Sequence, residues 1–202
     1  MVNDRPAKKL PVWTKPAAGA LVALAGVSLA IGQPSNADRW ESIAAESQPK
    51  LDQRLVQIAP AELLTYMNDS KVKVLLLDVR DERHYIQFHL RVAIHLTLEE
   101  VQAKSVELQL EIANTVFVTM SNDEQAATEA WKILKAESLP NTYILEGGIN
   151  AWLATYAGHL LGEEDRVANP QPDQLAYKFG AATGSRHPAA EPDPHFLDLE
   201  YE

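Results

Sequence analysis

Residues 72–77, 116–120 and 142–145 are short runs of β-branched and other apolar side chains, and longer segments of helical character separate them. The first run, Val72-Lys73-Val74-Leu75-Leu76-Leu77, ends on Asp78 and is apolar almost throughout, the pattern of a strand covered on both faces. Val116-Phe117-Val118-Thr119-Met120 and Thr142-Tyr143-Ile144-Leu145 repeat the pattern. Between and around them, Pro60 opens a helix over residues 60–67, where the missing N–H of proline does no harm. Residues 124–136 are rich in Ala, Glu, Lys and Leu around Trp131, and residues 149–160 follow Gly147-Gly148; both segments are expected to be helical. Thr97-Leu98-Glu99-Glu100 reads as a capping box. Strands alternating with helices predict an α/β protein with a mainly parallel sheet and helices on both faces.

The run Val74-Leu75-Leu76-Leu77-Asp78-Val79-Arg80-Asp81-Glu82-Arg83-His84-Tyr85, then His89-Leu90, then Leu145-Glu146-Gly147-Gly148-Ile149-Asn150-Ala151-Trp152, resembles the rhodanese (thiosulfate sulfurtransferase) family in order and spacing. The resemblance covers roughly residues 55–160 and implies the family's three-layer fold. It also implies that Asp78 and Arg80, matching an Asp-x-Arg pair at the end of the central strand, brace neighbouring loops. Tyr85, His89 and Ala93 match the segment that follows. Phe88, Arg91 and Val92 depart from it, since the family usually has Gly, Pro and Gly there, residues that permit tight backbone turns.

In that family a cysteine thiolate carries the transferred sulfur, and this chain has no cysteine. The family's cysteine position falls on Ser121, counting back from Leu145-Glu146-Gly147-Gly148, or on Met120, reading forward from the strand. Neither a hydroxyl nor a thioether attacks sulfane sulfur or holds a persulfide. The loop Ser121-Asn122-Asp123-Glu124-Gln125-Ala126 has two carboxylates and neither Gly nor Arg. Its Ser121-x-x-Glu124 spacing is a capping box, which would spend on the protein's own side chains the amide donors that an anion needs. The same absences weaken a phosphatase reading. Ser121, His89 and Asp78 name the types of a hydrolase triad, but no Gly-x-Ser-x-Gly elbow surrounds the serine. His84, His89 and His95 lack the repeat spacing of metal ligands, and no cofactor is expected. Trp131 and Trp152 are expected in the core.

The formal net charge of −10 excludes binding that rests on neutralising phosphates, so no nucleic-acid partner is expected. Arg5, Lys8, Lys9 and Lys15 precede an uncharged segment from Pro16 to Ala37, with Gln33-Pro34, Ser35 and Ala37 before Asp38. This is the form of a secretory signal cut before Asp38, or of an anchor crossing the membrane through residues 16–37. Either version puts the domain outside the cytoplasm, in the periplasm or its equivalent, secreted or membrane-anchored. The chain therefore divides into a basic and apolar signal or anchor segment (1–37), a polar spacer (38–54), the rhodanese-like domain (55–160) and an acidic, Pro-rich tail (161–202). The tail, with Phe196, Leu197, Leu199 and Tyr201 among its acids, is expected to serve a partner and not the stability of the domain. The function expected is that of a catalytically inactive domain acting as a protein-binding or structural module, with a membrane complex as one form of partner. The alternative is a sulfurtransferase or sulfur-carrier role that depends on a partner's cysteine.

Overall fold

The structure, a computed structural model of the whole chain, describes residues 34–157 and 161–179. The signal or anchor segment up to residue 33, the end of the helix expected to reach residue 160, and the tail beyond Phe179 lie outside the described residues. Among the described residues, five strands form one sheet: β1 (Gln57–Ile58), β2 (Lys73–Asp78), β3 (Ala93–His95), β4 (Thr115–Met120) and β5 (Thr142–Leu145). Their order is β1-β5-β4-β2-β3 and all pairings are parallel. The helices are α1 (Asn36–Asp52), α2 (Pro60–Asn68), α3 (Glu82–Gln87), α4 (Leu98–Ala103), α5 (Ser105–Gln109), α6 (Gln125–Ala136) and α7 (Gly148–Tyr156).

The alternation of side chains along each strand feeds two apolar layers. Leu76, Val118, Met120 and Leu145 pack with Leu63 of α2 and Ile149, Trp152 and Leu153 of α7. Leu77, Phe117 and Val79 pack with Val101 of α4 and Ala130 and Leu134 of α6. Both faces of the central strands are thus covered, which explains why the strand runs are apolar without alternation. Trp131 and Trp152 are both buried, and Trp131 Nε1 donates to the Thr142 carbonyl at 2.9 Å. Thr97 and Glu100 form the capping box of α4 reciprocally. In register, Asp78 at the end of β2 lies beside Met120 of β4 and His95 of β3, so the segments leaving these strands meet at one edge.

Two segments differ from expectation. The supposed spacer is helix α1, whose Trp40, Ile43, Ala44, Ser47 and Leu51 recur at helical spacing on its less exposed side. Trp40 meets Trp131 edge-on at 6.0 Å, and Trp40 and Leu51 pack against the cluster of Val56, Ala127, Trp131 and Ile144. Asn36 Nδ2 donates to the Ile133 carbonyl at 3.2 Å and Arg39 pairs with Glu137 of the α6 C-terminus. Pro49, which interrupts the helical hydrogen bonding, sits on the exposed side.

The second difference is the start of the tail. Residues 161–179 fold back over the domain as a strap, in which Val167 N–H donates to the Ala176 carbonyl and Lys178 N–H to the Asp165 carbonyl, around an antiparallel bridge of Arg166 and Tyr177. Leu175 and Tyr177 are buried in the same layer as Trp152, and Phe179 stacks on Phe88 at 5.4 Å. Apolar side chains spaced two apart, Leu175, Tyr177 and Phe179, seat the strap; its Pro and acidic residues face outward or form turns.

Candidate functional site

The loop between β4 and α6 is where the family's chemistry would reside. Met120 closes β4 and is buried in the α2 and α7 layer. Ser121 follows, also fully buried, with its Oγ accepting from the Ala127 N–H at 3.1 Å. Of the two side chains, Ser121 is therefore the one turned into the loop, where its hydroxyl caps the first turn of α6.

The capping box expected between Ser121 and Glu124 does not form. Glu124 Oε1 instead accepts from the Gly147 N–H at 2.6 Å and from Arg54 Nη2 at 2.8 Å. The reason is the backbone of Gly147 and Gly148, both left-handed at φ +64° and +63°, which turns the Gly147 N–H toward the loop. A Cβ on Gly148 would stand 1.9 Å from the Asp123 carbonyl oxygen, so only glycine lets β5 turn into α7 this close to the loop. Glu146 shares Arg54 at 3.1 Å. Gln125 N–H donates to Asp123 Oδ1 at 2.7 Å.

The strap supplies the remaining partners. Gln171 to Gln174 form a turn with Pro172 second and Asp173 third, the latter left-handed at φ +53°, closed by the Gln174 N–H on the Gln171 carbonyl. Asp173 Oδ1 accepts from the Asn122 N–H at 3.0 Å, and its own N–H donates to Asp123 Oδ2 at 2.8 Å. Asn122 is fully buried and bonded on all sides. Its Nδ2 donates to the Asp173 carbonyl at 2.7 Å and lies 3.0 Å from His84 Nδ1, its Oδ1 accepts from Arg80 Nη1 at 3.1 Å, and its carbonyl accepts from the Asn150 N–H. Asn150 in turn holds the strap through Gln174 and Ala176.

Below the loop, Arg80 and Asp78 form a bidentate ion pair at 2.8 and 2.6 Å with both side chains fully buried. Arg80 Nη2 also donates to the Phe88 carbonyl at 2.6 Å, so the guanidinium ties β2 to the loop and to the segment after α3. Phe88 stands where the family usually has glycine, but its backbone is extended at φ −157°, which any residue adopts, and its ring forms part of the floor under Phe179. His89 Nδ1 lies 2.8 Å from the Tyr85 carbonyl and its ring stacks on Tyr85; His95 Nε2 lies 2.8 Å from the Arg80 carbonyl. His95 also stacks on Tyr85, at 4.5 Å, so His89 and His95 share that ring while His84 meets Asn122. Ser121, His89 and Asp78 are likewise each bonded elsewhere and form no relay. Trp152 anchors α7 in the core, with its Nε1 buried and without a partner among the described residues.

Two carboxyls here are shifted in opposite directions. Burial pushes Glu124 up, but Arg54 and the Gly147 N–H outweigh it and the group ends below its usual range. Burial also pushes Asp173 up; the Asn122 N–H opposes this, neighbouring Asp123 adds to it, and the group ends above its usual range.

The model of the rhodanese-like domain family matches residues 59–155. The chain contains a rhodanese-like domain. Among solved structures with low identity to it, the rhodanese-like domain of an Anabaena protein aligns at 21% identity and TM-score 0.44, covering 50% of this chain and 74% of that one. A Bacillus halodurans protein aligns at 20% and 0.44, covering 55% and 82%. A thiosulfate sulfurtransferase from Pseudomonas aeruginosa aligns at 21% and 0.43, covering 49% of this chain and 18% of that one. No curated protein matches.

The rhodanese-like domain here has no cysteine at the head of its loop or anywhere else in the chain. Sequence reasoning missed four participants: Asp173, Asn150, Arg54 and the contact of His84 with Asn122. For Asp173 the available signal was Pro172-Asp173, a pair suited to the centre of a turn. Arg54, left-handed at φ +56°, carries no local signal.

Proposed function

We propose that this rhodanese-like domain carries no sulfur and serves as a protein-binding or structural module outside the cytoplasm. The observation that supports it is the state of the loop. No thiol is present, and the Asn122, Gln125 and Ala127 amides are occupied by Asp173, Asp123 and Ser121, so the position where an anionic substrate needs donors is filled by the protein's own oxygens. The exposed apolar side chains Ile94 on edge strand β3 and Val106 and Leu110 around α5 favour a binding role. The basic and apolar segment ahead of Asp38 supports the location.

Mass spectrometry of the full chain after thiosulfate treatment tests the first part: the expected spectrum is unmodified protein, and a sulfur adduct overturns the reading. Protease accessibility in intact cells tests the second, with digestion from outside the cytoplasmic membrane expected. Recovery of the intact chain from the cytosol would reject that location.

A further inference from the structure

The strap that covers the loop also lines a cleft against α3. A cavity of about 280 Å³ opens between α3 and the strap, with Arg83 and His84 on one wall, Lys178 on the other, and Leu175, Tyr177 and Phe179 as its apolar part. Among the described residues no carboxylate lines it, although Asp and Glu outnumber Lys and Arg by 28 to 18 in the chain. Lys178 makes no ion pair among the described residues. The carboxylate that does approach is Asp81, whose Oδ2 lies 3.8 Å from Arg83 Nη2, near the limit of an ion pair, and whose Oδ1 lies 3.4 Å from His84 Nδ1. Asp81 Oδ1 is committed to the His84 N–H at 2.8 Å as the N-cap of α3. Arg83 keeps 76% of its side chain exposed, so its guanidinium fork is open to a ligand.

We propose that this cleft binds a small organic oxyanion, a phosphate or carboxylate carried on a flat apolar body. Arg83 and Lys178 face the charged group from opposite walls, and the body lies against Tyr177 and Phe179. Cations supply the charge complement and the rings supply burial, the division of labour found in small-molecule sites. The site lies outside the loop that an anionic sulfur donor would enter, and it holds whether or not the domain moves sulfur.

The test is an NMR titration of the full chain with phenyl phosphate, inorganic phosphate and benzyl alcohol in parallel. Phenyl phosphate is expected to give saturable shifts at Arg83, His84 and residues 175–179, with phosphate weaker and benzyl alcohol weaker still. Each of Arg83→Gln and Lys178→Gln removes a charge-assisted contact and should weaken phenyl phosphate by about tenfold. Both residues are exposed on the surface, so the variants are expected to keep the wild-type amide spectrum elsewhere. Non-saturating shifts, shifts centred on another surface, or affinity unchanged in both variants would overturn the proposal.

Discussion

A guanidinium with a side chain that is fully buried, such as that of Arg80, has given up its water and depends on its protein partners for every donor it can satisfy. Asp78 takes two of those donors, Asn122 and Phe88 one each. Replacing Arg80 by Met should therefore cost about 3–5 kcal/mol in urea unfolding, because Asp78 is left charged and alone. The double change Asp78→Leu with Arg80→Met should recover much of that loss; a double variant as unstable as the single one would show that the bonds to Asn122 and Phe88 matter more than the pair. At the loop surface the two shifted carboxyls predict opposite responses to pH. Asp173 binds its proton more readily folded than unfolded, so its contribution is fully present below the unfolded value and is lost as pH rises through the raised folded value. Asp173→Asn, whose amide oxygen still accepts from Asn122, should raise Tm at neutral pH, with the gain shrinking in acid. Glu124 contributes above the unfolded value and loses its contribution as pH falls through the lowered folded one, so Glu124→Gln should lower Tm at neutral pH and matter less in acid. Thermal unfolding across pH 3 to 8 on the order of the carboxyl range reads both signs. At this scale the Asp78–Arg80 pair was legible because its two members are near neighbours in one motif. The fate of Glu124 was not, since the competing Gly147 N–H arrives from a turn more than twenty residues later.

Among the elements, β2, β4, β5, α2, α6 and α7 were legible because each buries a face of several apolar residues in sequence-local periodicity. Helix α1 and the strap were not. Each is polar in composition and attaches by a few side chains, Trp40 and Leu51 in one case and Leu175, Tyr177 and Phe179 in the other, whose seats are made by distant segments. The start of the tail, expected to serve a partner and not the stability of the domain, packs against the core through these side chains. Deleting everything after Ala168 removes Leu175 and Tyr177 from the core and Asp173 from the loop. At about 1.5–3 kcal/mol for each buried side chain, Tm should fall by roughly 10 °C. A scanning calorimetry trace that overlays the wild type would show that the strap rests on a domain already complete without it.

For the molecule as a whole, hydrogen bonds join loop, strap and ion-pair floor, and on the proposed reading sulfur transfer needs a cysteine and an opened loop. Ser121→Cys alone should show no thiosulfate:cyanide sulfurtransferase activity above a boiled control, because the new thiol would sit in a fully buried position beside Asp123, with the approach held by Asp173. Replacing residues 121–126 by a Gly- and Arg-containing cysteine loop together with Asp173→Ala should give more turnover than the point change; equal rates would mean that the strap does not obstruct the loop. The sheet order has a consequence of another kind, for the making of the protein. β1 pairs with β5, Gln57 beside Ile144, α1 needs Trp131 for its seat, and Asn122 waits for Asp173. A ribosome releases the chain from the other end, so the first strand and first helix of the domain emerge long before anything exists for them to dock against. Until the codons for the strap are translated, Asn122 lacks the Asp173 contacts that close the loop, so residues 161–179 are the last of the described segments to join the fold.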